Sequence, residues 1–233
     1  MSYLYRFKQF VRRAPLFKKI IQIRNKRRLE IQNEAVGELV QKYGLDVARS
    51  FIQSLETVDC KVFCTFGMLL GLVREGHFLK NDADLDFGYL VVDESDWIRI
   101  ERSLTSVGFE KMREFSYQGV ITEQTYKSKG IFIDLFGYFR RGDSIVSYAY
   151  RRDLDTVYPD RDSYTAYFHT APKFERIIDL PCDYGTLPAP EHPEVYLESV
   201  YGPGWRTPSS WENGSGPNIT FLSEFGLLKV FSN

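Results

Sequence analysis

From about Leu16 to Tyr43 apolar residues recur at helical spacing, with Pro15 placed to start or interrupt the run. Gly44 is suited to close that helix, and a second helical pattern runs from Val47 to Thr57. Lys61 to Phe66 (KVFCTF) then changes to a short β-type run. Gly67 to Arg74 reads as a turn into a short helix. From Asp84 to Val91, polar or small residues (Asp84, Asp86, Gly88) alternate with Leu85, Phe87 and Tyr89, which predicts a half-buried strand. Ser95 to Val107 predicts a helix, capped by Ser95 or Asp93 and closed by Gly108. Phe109–Phe115, Val120–Lys127 and Ile131–Arg140 read as strands, the last two joined by a Lys129-Gly130 turn; Ser144–Arg151 is a further strand. Beyond it the chain is rich in Tyr, Pro and Asp and looks less regular. Glu191–Tyr201 predicts a short helix, and the Ser/Gly/Asn-rich end after Trp205 is expected to be loop. This order predicts a mixed α+β fold.

The chemistry concentrates in Gly67 to Asp86, GMLLGLVREGHFLKNDADLD. On a strand, residues i, i+2 and i+4 share a face, so Asp82, Asp84 and Asp86 project together if the strand extends back that far, while Leu85 and Phe87 turn to the core. Carboxylates about 7 Å apart on one face raise each other's pKa unless a cation lies among them. Oxygen donors in this number suit Mg²⁺ or Mn²⁺ beside a substrate phosphate. A solvated acidic strand end is the plainer reading. An EF-hand loop begins with the same D-x-D-x-D, but Phe87 stands where its glycine is required. Asp134 sits in the otherwise apolar Ile131–Phe136 and needs either water at a sheet edge or a partner, because an unpaired buried carboxylate costs several kcal/mol. If its strand lies beside the Asp84–Asp86 strand, Asp134 completes a metal site or serves as general base. Gly67 lets backbone N–H groups approach an anion, Gly71 allows close helix packing, and Arg74 can fork onto phosphate. Tyr148, Tyr150, Tyr158, Tyr164 and Tyr167 offer stacking faces for sugars, or ordinary packing.

Charge changes the picture at one end. Ten of the 30 Lys and Arg residues precede the first acid, Glu30, and all 31 acids follow. That basic stretch also carries Phe7, Phe10, Leu16, Phe17, Ile20 and Ile23, which suggests contact of residues 1–29 with an anionic membrane surface. A helix packed on the domain with its basic side in water is the alternative. The strongly acidic remainder argues against nucleic acid. No apolar run reaches the length of a transmembrane helix, and the N-terminus lacks the apolar core of a secretory signal. Cys60, Cys64 and Cys182 have no zinc spacing with the three histidines and read as structural thiols of a reducing compartment. These features predict a cytoplasmic location, peripheral to the membrane's inner face.

Gly67-x-Leu69-Leu70-Gly71-x-x-Arg74-x-Gly76-x-Phe78-x-x-x-Asp82-x-Asp84-x-Asp86 resembles the signature of the LicD/fukutin family. The Asp134 strand is similar to that family's downstream acidic motif. Leu187-Pro-Ala-Pro190 and Tyr196-Leu197 through Tyr201-Gly202, Trp205 and Thr207-Pro208 are similar to its C-terminal ending. The resemblance implies a nucleotidyltransferase-like fold of polymerase-β type. This is a mixed sheet with flanking helices, here with an N-terminal helical extension over 1–57, a catalytic domain over 58–208 and a tail over 209–233. It implies transfer of phosphocholine or an alditol phosphate from a CDP-activated donor to a hydroxyl of a glycan or its lipid-linked precursor. It makes Asp84, Asp86 and Asp134 metal ligands and catalytic residues, and Gly67, Gly71, Arg74, Asp82 and Trp205 substrate-binding. Lys80-Asn81, Ala83 and Met68 depart from the family pattern, which leaves the donor open. The alternatives are a D-x-D glycosyltransferase, an enzyme that adds NMP to its acceptor, and a non-catalytic binding protein.

Overall fold

The computed structural model describes residues 15–80, 82–209 and 214–231, with side chains from Glu34 onward. The expected membrane contact of residues 1–29 falls on segments whose side chains lie outside the described residues. Among the described residues, no helix is long and apolar enough to cross a membrane.

Helix α1 (Pro15–Glu56) is continuous through Gly44, where two helices were expected. Gly44 keeps a helical backbone, and a Cβ there would lie 3.1 Å from the Phe78 ring. The glycine serves a close approach and does not end the helix. The C-terminal half of α1 enters the core through Val40, Val47, Ala48, Phe51 and Leu55. The short strand β1 (Val62–Cys64) follows, then α2 (Phe66–Glu75), closed by Gly76 in the left-handed region. Strand β2 (Asp84–Leu90) and helix α3 (Asp96–Ser106) come next. Strands β3 (Glu110–Tyr117), β4 (Val120–Ser128), β5 (Ile131–Arg141) and β6 (Ser144–Arg151) lie where the alternation places them.

The remainder is more regular than its composition suggests. It forms β7 (Ser163–Pro172), the hairpin β8 (Ile177–Cys182) and β9 (Gly185–Pro190), helix α4 (Pro193–Tyr201), and β10 (Ile219–Val230). The expected C-terminal loop is therefore corrected. After a Ser/Gly/Asn-rich connection the chain returns as β10 and pairs with both β3 and β7. Strand β10 keeps Phe221, Leu227 and Val230 exposed, so it lacks the clean alternation that marks a half-buried strand.

The main sheet has eight strands in the order β1-β2-β5-β4-β3-β10-β7-β6. Strand β6 also pairs back onto β5, so six of the strands close into a ring. Its one parallel pairing, β2 with β5, sets Asp86 directly opposite Asp134. The rest of the ladder is antiparallel, which makes the sheet mixed, in keeping with the α+β expectation. On the face away from Asp84 and Asp86, Phe87 stacks on Phe51 at 4.9 Å, with Phe109 and Tyr126 edge-on to Phe51. This aromatic cluster ties α1 to the middle of the sheet.

Gly88 sits where β2 is most tightly covered, since a Cβ there would lie 2.4 Å from the Phe63 ring and 2.7 Å from Tyr138. Gly88→Ala is expected to cost about 1–3 kcal/mol by overpacking, read as a lower urea midpoint in circular dichroism. Gly204→Ala, with nothing within 4 Å, is expected to stay within about 0.5 kcal/mol of the parent.

Candidate functional site

The site begins where β1 gives way to α2. Thr65 donates its backbone N–H to the Asp86 carbonyl, and Phe66 then takes a φ of 41°, rare for a residue with a side chain. That turn sets the first N–H groups of α2 over the end of β2. Gly67 donates its N–H to Asp86 Oδ2 at 3.1 Å. A Cβ on Gly67 would lie 2.7 Å from Asp82 Oδ2, so the missing side chain makes room for a second carboxylate. Below, Thr65 Oγ1 shares hydrogen bonds with the hydroxyls of Tyr138 and Tyr196, locking the turn to β5 and α4.

Gly71 has a different task. A Cβ there would meet His77 O at 2.7 Å and Leu79 N at 2.9 Å. Its absence lets the 77–79 loop lie on α2 and bring the chain back to Asp82. Gly71 does not line the cavity described below.

Across the sheet, Asp134 is held by two donors. Thr125, its partner on β4, donates its hydroxyl to Oδ1. Arg113 on β3 reaches the two carboxylate oxygens through Nη2 at 3.3 and 3.2 Å, and its Nε bonds Thr125 Oγ1 at 2.8 Å. One oxygen from each of Asp84, Asp86 and Asp134 then lies within 4.8 Å of the others, a spacing that could hold one metal ion. Asp86 and Asp134 are buried and Asp84 is half-buried. No other cluster of three His, Cys, Asp or Glu residues has this spacing among the described residues.

These carboxylates line a cavity of about 580 Å³. Arg74, Asp82, Arg113 and Glu123 line it near the acids, and Phe66, Phe115, Phe136, Tyr150, Tyr164, Tyr167, His169 and Tyr201 supply aromatic walls. Of the tyrosines singled out in the sequence, Tyr150, Tyr164 and Tyr167 face this space; Tyr148 packs on Tyr117, and Tyr158 is buried against Phe225. Arg74 reaches the cavity while bonded to Glu75 at 2.6 Å. Trp205 does not line it. Its ring is buried in the core under the Arg206 guanidinium.

Crowding shows in the electrostatics. Burial pushes Asp82 up to about 6. Burial, with Asp134 and Asp82 nearby, pushes Asp84 up to about 8. Asp86 is held well above the carboxylate range by burial and then by the other three acids. Glu123 is pushed up to about 8 by burial and Asp134, against the opposing pull of Arg113. Burial lowers His169 to about 4, so its ring is neutral at pH 7. Cys60 and Cys64 are buried free thiols and Cys182 is half-buried.

Arg113, Glu123, Thr125 and His169 were not singled out from the sequence. For two of them a signal existed. The Lys129-Gly130 turn fixes the β4–β5 register, and that register sets Thr125 opposite Asp134 with Glu123 on the same face. Arg113 needs the next strand, whose register shifts between Lys111 and Arg113.

The architecture is thus that of an α+β protein with a carboxylate-centred cavity at the junction of a helix N-terminus and a mixed sheet. The chain belongs to the LicD/FKTN/FKRP nucleotidyltransferase-domain family, whose sequence model matches residues 59–177. That family is one of phosphotransferase-type enzymes that modify glycans. The matched residues include Gly67, Arg74, Arg113, Glu123 and all four aspartates of the site; the Trp205 ending lies outside them. No match was found among curated proteins.

The raised carboxylates make stability depend on pH. A carboxyl held above its unfolded value binds its proton more tightly in the folded chain. It therefore favours folding most at low pH, and that advantage is lost as pH rises through the folded value. In chelator, the fold is expected to weaken from about pH 4 to pH 8, the loss from Asp82 being complete near 6 and those from Asp84 and Glu123 near 8. Asp84→Asn is expected to raise stability at pH 8 by on the order of 2 kcal/mol and to flatten this profile. Urea titrations at pH 5 and pH 8 measure both effects; an Asp84→Asn profile as steep as the parent's contradicts the assignment.

Proposed function

We propose that the chain is a metal-dependent phosphotransferase of nucleotidyltransferase-like fold. In this reading it moves a phospho-substituent, phosphocholine or an alditol phosphate, from a CDP-activated donor to a hydroxyl of a cell-surface glycan or its lipid-linked precursor. The observation that carries the proposal is the convergence of Asp84, Asp86 and Asp134 in the wall of a cavity large enough for a substrate. Three carboxylate oxygens form a hard donor set, which fits Mg²⁺ or Mn²⁺.

A divalent ion bound there would neutralise charge on the phosphoryl oxygens and on the departing CMP. The chain's own groups do the positioning. Gly67 N–H holds the Asp86 carboxylate, and Thr125 with Arg113 holds that of Asp134. Asp134 is thereby committed to orientation. Asp82, over Gly67 and with a pKa pushed up to about 6, is the better proton acceptor for an attacking hydroxyl near neutral pH. Arg74 at the cavity wall supplies a guanidinium for phosphate. Tyr150, Tyr164 and Tyr167 give the acceptor aromatic faces. The basic residues 1–29 would bring the enzyme to a membrane that carries lipid-linked acceptor, from the cytoplasmic side. A nucleotide-sugar glycosyltransferase is less well supported, because the three-residue β1 and α2 that lead into Asp84-x-Asp86 do not make a parallel nucleotide-binding βαβ unit: β1 pairs antiparallel with β2.

The test is release of CMP from CDP-choline, CDP-glycerol and CDP-ribitol with Mg²⁺ and a glycan acceptor, alongside a panel of UDP-sugars. One CDP donor is expected to react, with its phospho-substituent found on the acceptor by mass spectrometry. Asp84→Asn and Asp134→Asn are each expected to lower the rate by about 10²-fold or more. Transfer from a UDP-sugar, or NMP joined to the acceptor, would replace this reading with another.

A further inference from the structure

Arg113 belongs to no motif that the sequence displays, yet it is the cation set directly against the acidic triad. Its Nε is fixed by Thr125 and its Nη2 lies across Asp134, while Nη1 has no hydrogen-bond partner among the described residues. The side chain is 44% exposed and lines the cavity. Asp134 therefore answers to two claims: the guanidinium on one side, and the point it shares with Asp84 and Asp86 on the other.

Five carboxylates (Asp82, Asp84, Asp86, Asp134 and Glu123) and two guanidinium groups (Arg74 and Arg113) line this space. Arg74 is already bonded to Glu75 on its own helix. The Glu123 carboxylate makes no hydrogen bond or ion pair among the described residues, so Asp134 is the one carboxylate hydrogen-bonded to Arg113, whose Nη1 is left unbonded at the cavity. A divalent ion on the triad and a guanidinium on Asp134 would be like charges a few ångströms apart, each weakening the other's hold. An anion with several oxygens removes that conflict by touching both. Guanidinium is suited to the task, because its planar fork matches a phosphate edge.

We propose that Arg113 is a phosphate ligand of this site and that its charge couples anion binding to metal binding. Without an anion, Arg113 and the divalent ion oppose each other across Asp134. With one, they grip the same phosphate from two sides. The inference rests on the metal reading given above and deepens it, since it makes the phosphate of the substrate the group that reconciles the two cations.

Calorimetric titration of the full chain with Mg²⁺, with and without inorganic phosphate, tests this without any need for the natural donor. In the parent protein, phosphate is expected to tighten Mg²⁺ binding by about tenfold, a common size for coupling between sites. In phosphate-free buffer Arg113→Met is expected to bind Mg²⁺ about tenfold more tightly than the parent, and to lose the phosphate effect. Arg113→Lys keeps the charge but not the fork, so it is expected to bind Mg²⁺ like the parent and to retain less than about a third of the enhancement. If Arg113→Met does not fold, as judged by its melting curve, Arg113→Lys decides the matter. Undiminished phosphate coupling in the folded variants, or Mg²⁺ binding in Arg113→Met no tighter than the parent's, overturns the proposal and leaves the metal site standing. Failure of the parent to bind Mg²⁺ overturns the metal reading and this inference together.

Discussion

Four aspartates crowded into the wall of one cavity are the constraint around which the rest of the chain is arranged. A buried carboxylate is expensive, and several sharing one site are more so, because each raises the cost of ionising the next. The fold brings them together through one parallel pairing, β2 against β5, which sets Asp86 opposite Asp134. Donors from three residues limit that cost. Gly67 N–H bonds Asp86, and Thr125 and Arg113 bond Asp134, while the carboxyl groups of Asp82 and Asp84 are pushed toward neutrality. On the function proposed above, a divalent cation would offset the rest.

The helix start over the acids shows how strictly this is built. Phe66 takes a left-handed backbone conformation that disfavours residues with a side chain, and the next residue must lack a Cβ because Asp82 occupies the space. Beneath them the hydroxyls of Thr65, Tyr138 and Tyr196 bind one another, joining α2, β5 and α4. The strain at Phe66 is held in place by packing, as its ring lies edge-on to Phe136 and His169. These two rings also belong to the cavity wall. The element that positions the acids therefore shapes the space where a substrate would meet them.

The closing of six strands into a ring accounts for the other half of the cavity. Because β6 returns to β5, the aromatic residues of β3, β6 and β7 face the same space as the acids of β2 and β5. Phe115 stacks on Tyr150 at 4.5 Å, and Tyr164 stands edge-on to Phe115. Charged and aromatic side chains thus line the same space.

Much of this was legible in the sequence. The alternation from Asp84 to Tyr89 identified the strand and the face its acids share, and Asp134 in an apolar run pointed to a partner across the sheet. Both signals are local, since they depend on the two-residue period of a strand and on the cost of burying charge. What was not legible depended on chain segments far apart in sequence. Gly44 looks like a helix stop and is in fact the seat of the Phe78 ring, 34 residues away. Strand β10 became a strand because β3 and β7 both pair with it, although its own pattern of exposed apolar residues did not mark it. Arg113 looked like any surface arginine until the β3–β4 bulge and the register of β4 on β5 brought it to Asp134. The sequence by itself determined the elements of the centre and their acidic chemistry, because period and composition are properties of neighbouring residues. The tertiary structure alone decided which cation faces those acids and which aromatic rings enclose them, because strand order and register are settled by packing between distant segments.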